Sequence, residues 1–352
     1  MRIAAALLAI ALVVSACGGG GSAATPQPVP PAATSVGAAA TPAPTPAKVY
    51  KLSVLETSPG FFDIPIKIMI EEGLAKTFNL DLSLAQFQAG SGTTSQVFAG
   101  GTGDIMMAGV NASAGLTVAK IADVQVVGML LDRHVWTLVS KPGSPYTTVQ
   151  SLKGKIVGIS GAGSFSDFAL RQLLQRNNLT TKDVQVAALG NAAVQFAALE
   201  AGKADAVQLQ APLFETTLRD KKVQVVYDFR NDLTPGLVFT ARTAAVKADP
   251  APYAAFMNAV RAALGKMRAD PAYALAMAKK YYGQNNTDAE LQLILDTYLK
   301  SPGIWTPDGV YTENLHNLGR DLMIVGDPTF TAANYPTYQQ LTQYAPSSFL
   351  KR

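Results

Sequence analysis

Between Lys51 and Ala241 the chain alternates two hydrophobic periods: short β-branched runs, and longer stretches with apolar residues every three or four positions. Such alternation demands a largely parallel sheet, because each parallel strand returns through a crossover that is usually a helix. Strands are expected at Lys51 to Leu55, Leu80 to Gln86, Asp104 to Met107, Val124 to Leu131 and Val135 to Ser140. A second series follows at Ile156 to Ser160, Val184 to Ala188, Ala204 to Leu209 and Val223 to Asp228, with a return strand at Leu237 to Ala241. Helices fill the intervals, the first running from Ile64 to Glu72 and stopping at Gly73, a natural helix terminator. The expected class is α/β.

Lys141-Pro142-Gly143-Ser144-Pro145 is a strong breaker and sets the expected end of a first lobe. An internal echo supports two lobes on one plan. Phe98-Ala99-Gly100-Gly101-Thr102-Gly103-Asp104-Ile105 resembles Leu199-Glu200-Ala201-Gly202-Lys203-Ala204-Asp205-Ala206, each a helix end, a glycine, an aspartate and a strand. From Pro250 onward the pattern is helical, with aromatic and Met stripes that read as core, then a Tyr- and Pro-rich tail.

The first sixteen residues read as an export signal: Arg2, then apolar Ile3 to Val14, then the small-residue site Val14-Ser15-Ala16. Cys17, the one cysteine of the chain, follows at once. The arrangement resembles a bacterial lipobox, in which that thiol is diacylated and becomes the new N-terminus. Behind it, Gly18 to Ser22 and the Pro-, Ala- and Thr-rich Thr25 to Ala47 read as a spacer too poor in apolar surface to order itself.

Composition removes several function classes. Formal charge is +4, and no Lys/Arg block is interleaved with aromatics, which argues against nucleic acid. The two histidines, His134 and His316, have no neighbouring ligand pattern, so no metal centre is expected. The turn Gly161-Ala162-Gly163-Ser164-Phe165-Ser166 imitates a dinucleotide loop, but Ser166 replaces the third glycine. Its second strand also ends in Leu189-Gly190-Asn191 without the ribose-binding acid. No phosphate-binding loop and no nucleophile elbow are present. What remains is a helix N-terminus, with Ser164 as cap, that favours an anion or acceptor or else merely completes a tight turn. His134 and Trp136 share one side of an extended segment beside Arg133, so they line a cleft or pack into a core.

Taken in order, several short pieces resemble the solute-binding proteins of ABC importers, in the nitrate/sulfonate/taurine group and its relatives that bind thiamin-pyrimidine precursors. They are the first strand with Ser58-Pro59, Ser91-Gly92, Ala99-Gly100 with Asp104-Ile105 and Gly109, Leu152 to Lys155, Gly163-Ser164, and Ala201-Gly202 with Asp205-Ala206. The resemblance implies a two-lobed Venus flytrap fold, with a hinge near Val139-Ser140 and Phe239-Thr240 and a helical C-terminal part. It divides the chain into a signal (1–16), a lipid-anchored tether (17–48), lobe 1 (49–140), lobe 2 (141–240) and a return to lobe 1 with C-terminal helices (241–352). Ligand contacts implied are Ser58, Phe61, Phe62, Ser91, Gly92, Thr93, Asn111, Ala112, Gly163, Ser164 and Phe165, joined by His134 and Trp136.

Relatives carry an aromatic and Pro after the Asp-Ala strand, where this chain has Gln208-Leu209-Gln210-Ala211-Pro212, so Gln210 takes that wall position. Phe61, Phe62, Phe165 and Trp136 offer stacking for a flat ring, unless the Phe pair is core; Arg133 or Arg242 offers a partner for a sulfonate or carboxylate. The implied function is capture of a small solute, a sulfonate-like anion or an aromatic vitamin precursor, for delivery to a permease and its ATPase subunit. Implied too are a monomer without cofactor, metal or catalytic residue, held to the membrane by Cys17 alone. The competing expectation is an enzyme on the same fold acting on a small heterocycle or carboxylate.

Overall fold

The computed structural model describes residues 48–57, 59–87, 90–300, 303–327 and 329–350. The readings placed on residues 1–47, Cys17 included, and on Ser58 lie outside them. No helix among the described residues is long and apolar enough to cross a membrane.

Two five-stranded sheets organise the chain. The first half contributes β1 (Tyr50–Glu56), α1 (Ile64–Glu71), β2 (Leu80–Gln86), α2 (Gly90–Ala99), β3 (Ile105–Gly109), α3 (Val110–Val118) and β4 (Val124–Met129). Next come β5 (Trp136–Ser140), β6 (Ile156–Ile159), α4 (Phe165–Arg176), β7 (Gln185–Ala188), α5 (Ala192–Glu200), β8 (Ala206–Gln210), α6 (Leu213–Arg219) and β9 (Gln224–Asp228). The chain returns through β10 (Leu237–Arg242) and ends in α7 (Thr243–Ala248), α8 (Ala251–Ala269), α9 (Pro271–Tyr282), α10 (Asp288–Leu299), α11 (Glu313–Gly326) and α12 (Tyr338–Thr342).

The sheet orders are β2-β1-β3-β10-β4 and β7-β6-β8-β5-β9. They are one plan used twice: a parallel βαβ core with one strand from the interlobe crossing inserted antiparallel, β10 beside β3 and β5 beside β8. The echoed aspartates show why the repeat exists. Asp104, entering β3, accepts from Ser53 N and Oγ at 2.8 Å each, and Asp205, entering β8, accepts from Ile156 N at 2.8 Å. Each carboxylate pins the strand it precedes to a parallel neighbour, β3 to β1 and β8 to β6, fixing the register of the pair.

One boundary is corrected. Residue 140 was expected to end lobe 1, yet β5 pairs with β8 and β9 and so belongs to the second sheet. The Lys141 to Pro145 breaker ends a strand, not a lobe. The crossings fall earlier, at 130–135 and 229–236, where the two segments pair with each other: Leu130 N donates to Leu237 O (2.8 Å), Gly236 N to Leu131 O (2.9 Å), and Thr234 N to Asp132 O (3.0 Å). Val139-Ser140 and Phe239-Thr240, expected at the hinge, lie inside strands.

The C-terminal helices do more than return to lobe 1. While α8 packs on α1 and β4, Arg219 of α6 donates to both oxygens of Glu290 in α10 (2.6 and 2.7 Å), and α11 packs along α4. An Asp205→Ala variant loses a charge-assisted bond to a strand N–H. It is expected to lower unfolding free energy by about 1.5–3 kcal/mol, read as a drop in the urea midpoint without change of slope.

Candidate functional site

Parallel strands leave their loops at one end, and in this fold the loop ends of both sheets face each other across the crossing. A deep pocket there is lined from lobe 1 by Thr57, Phe62, Gly90, Ser91 and Leu237, and from the facing lobe by Val135, Trp136, Ser160, Phe165, Ser166 and Gln210. Its volume is about 20 Å³, little more than one water needs, roughly 10–15 Å³. A larger outer cavity of about 320 Å³ opens beside it, with Gly92, Asn111 and Ala112 on one side and Gly163, Ser164 and Phe168 on the other.

The lobes touch along the partition between these spaces. Asn111 Nδ2 donates to Gly163 O at 2.7 Å, and Gln210 Nε2 donates to Pro59 O at 3.3 Å. Gly92 approaches the opposite turn so closely that a Cβ there would sit 2.7 Å from Ala162 O. Gly163 has φ +69°, a left-handed conformation that accounts for the glycine in the turn.

Ser164 caps α4 by accepting from Asp167 N (3.2 Å), and the Ser160, Ser164 and Ser166 hydroxyls form a triangle with edges of 2.7–3.0 Å. Ser166 Oγ also accepts from Ser160 N at 2.8 Å. Thus the residue that broke the dinucleotide pattern is itself a structural part of the turn. It ties the strand end to the helix start where a nucleotide loop would have glycine. The first turns of α2 (Gly90, Ser91) and α4 (Phe165, Ser166) line the pocket from opposite lobes. Helix first turns carry N–H groups without intrahelical partners, so partial positive charge enters from both sides. No ionisable side chain lines the deep pocket among the described residues. Two buried polar atoms on its wall, Trp136 Nε1 and Gln210 Oε1, have no hydrogen-bond partner.

The structure thus brings Phe62, Ser91, Trp136, Phe165 and Gln210 to one pocket, and Gly92, Asn111, Ala112, Gly163 and Ser164 to the adjoining cavity. Three expected contacts go elsewhere. Phe61 packs against Tyr298 and Tyr282 at ring distances of 5.2 and 5.5 Å, behind the wall that Phe62 forms. Thr93 is on the exposed side of α2. His134 is fully buried, stacked on Phe165 at 4.4 Å, and burial lowers its pKa to about 3, so it is a neutral ring bracing the pocket aromatic from behind. Neither candidate arginine reaches a cavity: Arg133 Nη1 donates to Asn231 O, and Arg242 donates to the carbonyls of Phe98, Thr102 and Gly103. Thr57, Gly90, Val135, Ser160, Ser166 and Leu237 were not singled out from sequence. Ser166 carried a signal, an unexpected serine in a glycine position, whereas Leu237 reaches the pocket only through the crossing.

Behind the first loop lies a pair of buried acids. Glu56 ends β1; Asp63 accepts from Gly60 N (3.3 Å) and Tyr282 OH (2.9 Å) and sits 3.5 Å from Lys67 Nζ. Burial raises both carboxyls, Asp63 to about 6, and Glu56 well above the carboxylate range with Asp63's charge adding to the effect.

Two facing α/β lobes with a loop-lined cleft define a protein of the periplasmic binding-protein class. The family model described as NMT1/THI5 like matches residues 69–274, more than half of the chain, and the chain belongs to that family. Curated protein sequences contain no match to it. Among solved structures it is similar to the alkanesulfonate-binding protein SsuA of Xanthomonas axonopodis pv. citri bound to MOPS, with 18% identity, TM-score 0.68, and 85% of this chain and 99% of that one covered. The aliphatic sulphonate binding protein SsuA of Escherichia coli matches at 19% identity and TM-score 0.65, covering 83% and 91%. The nitrate-binding protein NrtA of Synechocystis PCC 6803 matches at 13% identity and TM-score 0.56, covering 71% and 70%. At these identities the likeness is one of fold.

A Gly92→Ala variant places a methyl against Ala162 O in the closed arrangement. The lobes are expected to rest further apart, at a closure cost of about 1–3 kcal/mol, seen as a longer interlobe distance between spin labels with little change in melting temperature. A second expectation follows from the acid pair. Both groups bind protons more tightly folded than unfolded, so their contribution to stability is fully present below about pH 4 and is lost as pH rises, through about 6 for Asp63. Glu56→Gln removes one of these acids, so its melting temperature relative to wild type should be more favourable at pH 7.5 than at pH 5.

Proposed function

We propose that the protein is the extracytoplasmic solute-binding component of an ABC importer, and that its solute carries a sulfonate or comparable oxyanion head. The observation that carries the reading is the unpaired Trp136 indole N–H in a pocket flanked by two opposed helix N-termini. An unmatched buried donor costs about 1–3 kcal/mol, and an oxyanion would satisfy it once the lobes part to widen a pocket that in this arrangement has room for little more than one water. Each helix terminus adds roughly 0.3–2 kcal/mol for negative charge, depending on burial. With no arginine or lysine on the pocket wall, recognition would rest on N–H donors, which donate to sulfonate oxygens and tolerate neutral acceptors. The sulfonate- and nitrate-binding names of the similar structures agree with this chemistry. Phe62, Phe165 and Trp136 would pack on the carbon part of the solute.

In this reading the chain makes and breaks no bond, and ATP is hydrolysed by the permease's partner subunit. His134, buried and stacked on Phe165, is not on the wall of the deep pocket. Closure would be driven by solute contacts that exist only when both lobes engage. Residues 1–16 would be removed on export, Cys17 would carry the lipid, and 17–48 would form the tether, leaving the two lobes free to work as a monomer beside the membrane.

The test is titration of ethanesulfonate into the soluble chain from Lys48, followed by tryptophan fluorescence for the environment of Trp136 and by calorimetry for affinity. The only other tryptophan, Trp305, is buried with its N–H on Phe62 O at 3.0 Å. Ethanesulfonate is expected to shift the emission, and Trp136→Phe to abolish the shift and weaken binding by about 1.5–3 kcal/mol, tenfold or more. Unchanged affinity in the variant would remove the pocket from the reading.

A further inference from the structure

The outer cavity owes one wall to a helix that belongs to neither sheet. The first half of α11 is fixed to lobe 1 through His316, whose Nδ1 meets Tyr311 OH at 3.1 Å and whose ring packs on Tyr335 and Tyr338 at 5.5 and 5.8 Å. Its middle rests on the crossing, where a Cβ at Gly319 would sit 2.6 Å from Pro235. Its end lies on α4 of the other lobe, where a Cβ at Gly326 would be 3.4 Å from Arg171 Cβ. Asp327 accepts from Thr329 N and Oγ1 at 2.9 and 2.8 Å, and Phe330 lines the cavity with them.

The space so enclosed is ligand-sized: about 320 Å³, against roughly 300 Å³ as the lower end for small-molecule sites. Leu116, Ile121, Phe168, Met323 and Phe330 supply apolar wall from both lobes and the C-terminal segment. Arg171 is committed to Asp167 through Nε (2.8 Å) and Nη2 (3.2 Å), so the charged residues on this wall are largely matched to each other. An interlobe seam that includes Asn111, Gly163 and Gly92 lies between residues of the cavity and those of the deep pocket.

We propose that the outer cavity is a tail compartment. The solute is elongated, with its oxyanion head in the deep pocket and an apolar alkyl or ring tail lying between α3, α4 and the end of α11, the lobes standing far enough apart to break the Asn111–Gly163 contact and widen the head pocket. This rests on the reading of the deep pocket as the head site. It adds that the C-terminal segment, which contacts no head group, sets how long a solute is accepted.

Gly115 of α3 gives the test. It lines the outer cavity, and a Cβ there meets nothing within 4 Å, so the bulky side chain of Gly115→Trp starts from open space on the cavity wall. Replacing a helical glycine also favours the helix. Ethanesulfonate, butanesulfonate and octanesulfonate are titrated into wild type, Gly115→Ala and Gly115→Trp. In wild type, affinity is expected to rise with chain length, by up to about fourfold for each methylene buried. Gly115→Trp is expected to flatten that rise while leaving ethanesulfonate within about twofold, and Gly115→Ala to behave as wild type. Equal affinity for all three in wild type, or octanesulfonate binding untouched by Gly115→Trp, overturns the tail compartment while the head site stands. If wild type binds none of the three, the head site fails and the compartment with it. Circular dichroism melts confirm that each variant is folded.

Discussion

Everything in this molecule depends on the paired crossing between its sheets. Segments 130–135 and 229–236 hydrogen-bond to each other, and each delivers an antiparallel strand into the sheet it enters. Because β5 begins at Trp136 directly opposite Gln210, the last residue of β8, the crossing sits at the end of the sheets where the parallel strands terminate. That geometry turns the loop ends of both lobes toward one another. A cleft lined by helix N-termini from two sides is the result, and no special motif was needed to build it.

The fold was legible because its periodicity is local. Nearly every strand could be placed from β-branched runs and their breakers, and the aspartate echo at Asp104 and Asp205 marked a duplicated plan whose physical basis is a pair of backbone staples. Reading failed where tertiary context decides. Trp136 and His134 share one side of an extended segment, yet one lines the pocket and the other stacks behind Phe165, because β5 begins between them. Phe61 and Phe62 were indistinguishable in sequence. A turn between β1 and α1 sends the first into the tyrosine and tryptophan core and the second to the cleft wall. The reach of α11 across both lobes left no trace in its sequence, since packing on one lobe or two requires the same apolar stripe.

In the proposed reading, the site favours an anion without a cation. Arg242 and Arg133 are used on backbone carbonyls, and Arg171 on Asp167. The pocket wall instead carries serines from the first turns of α2 and α4, an unpartnered indole N–H and aromatic rings. The buried acids Glu56 and Asp63, by contrast, are kept behind Phe62, and their burial favours the protonated forms.

The two sheets, alike in plan, differ in what their assembly asks of the chain. Strands β5 to β9 are consecutive, so the second sheet can close on a stretch of about ninety residues as soon as that stretch exists. The first sheet cannot. Its β3 and β4 do not touch as neighbours; β10 stands between them, and more than a hundred residues separate β4 from that partner. Until the second lobe has been made and its exit strand returns, lobe 1 holds an open slot with two unpaired strand edges. Order of synthesis and order of completion are therefore reversed: the lobe that begins first is finished last, and its exposed edges are the places where premature pairing with another chain would do harm.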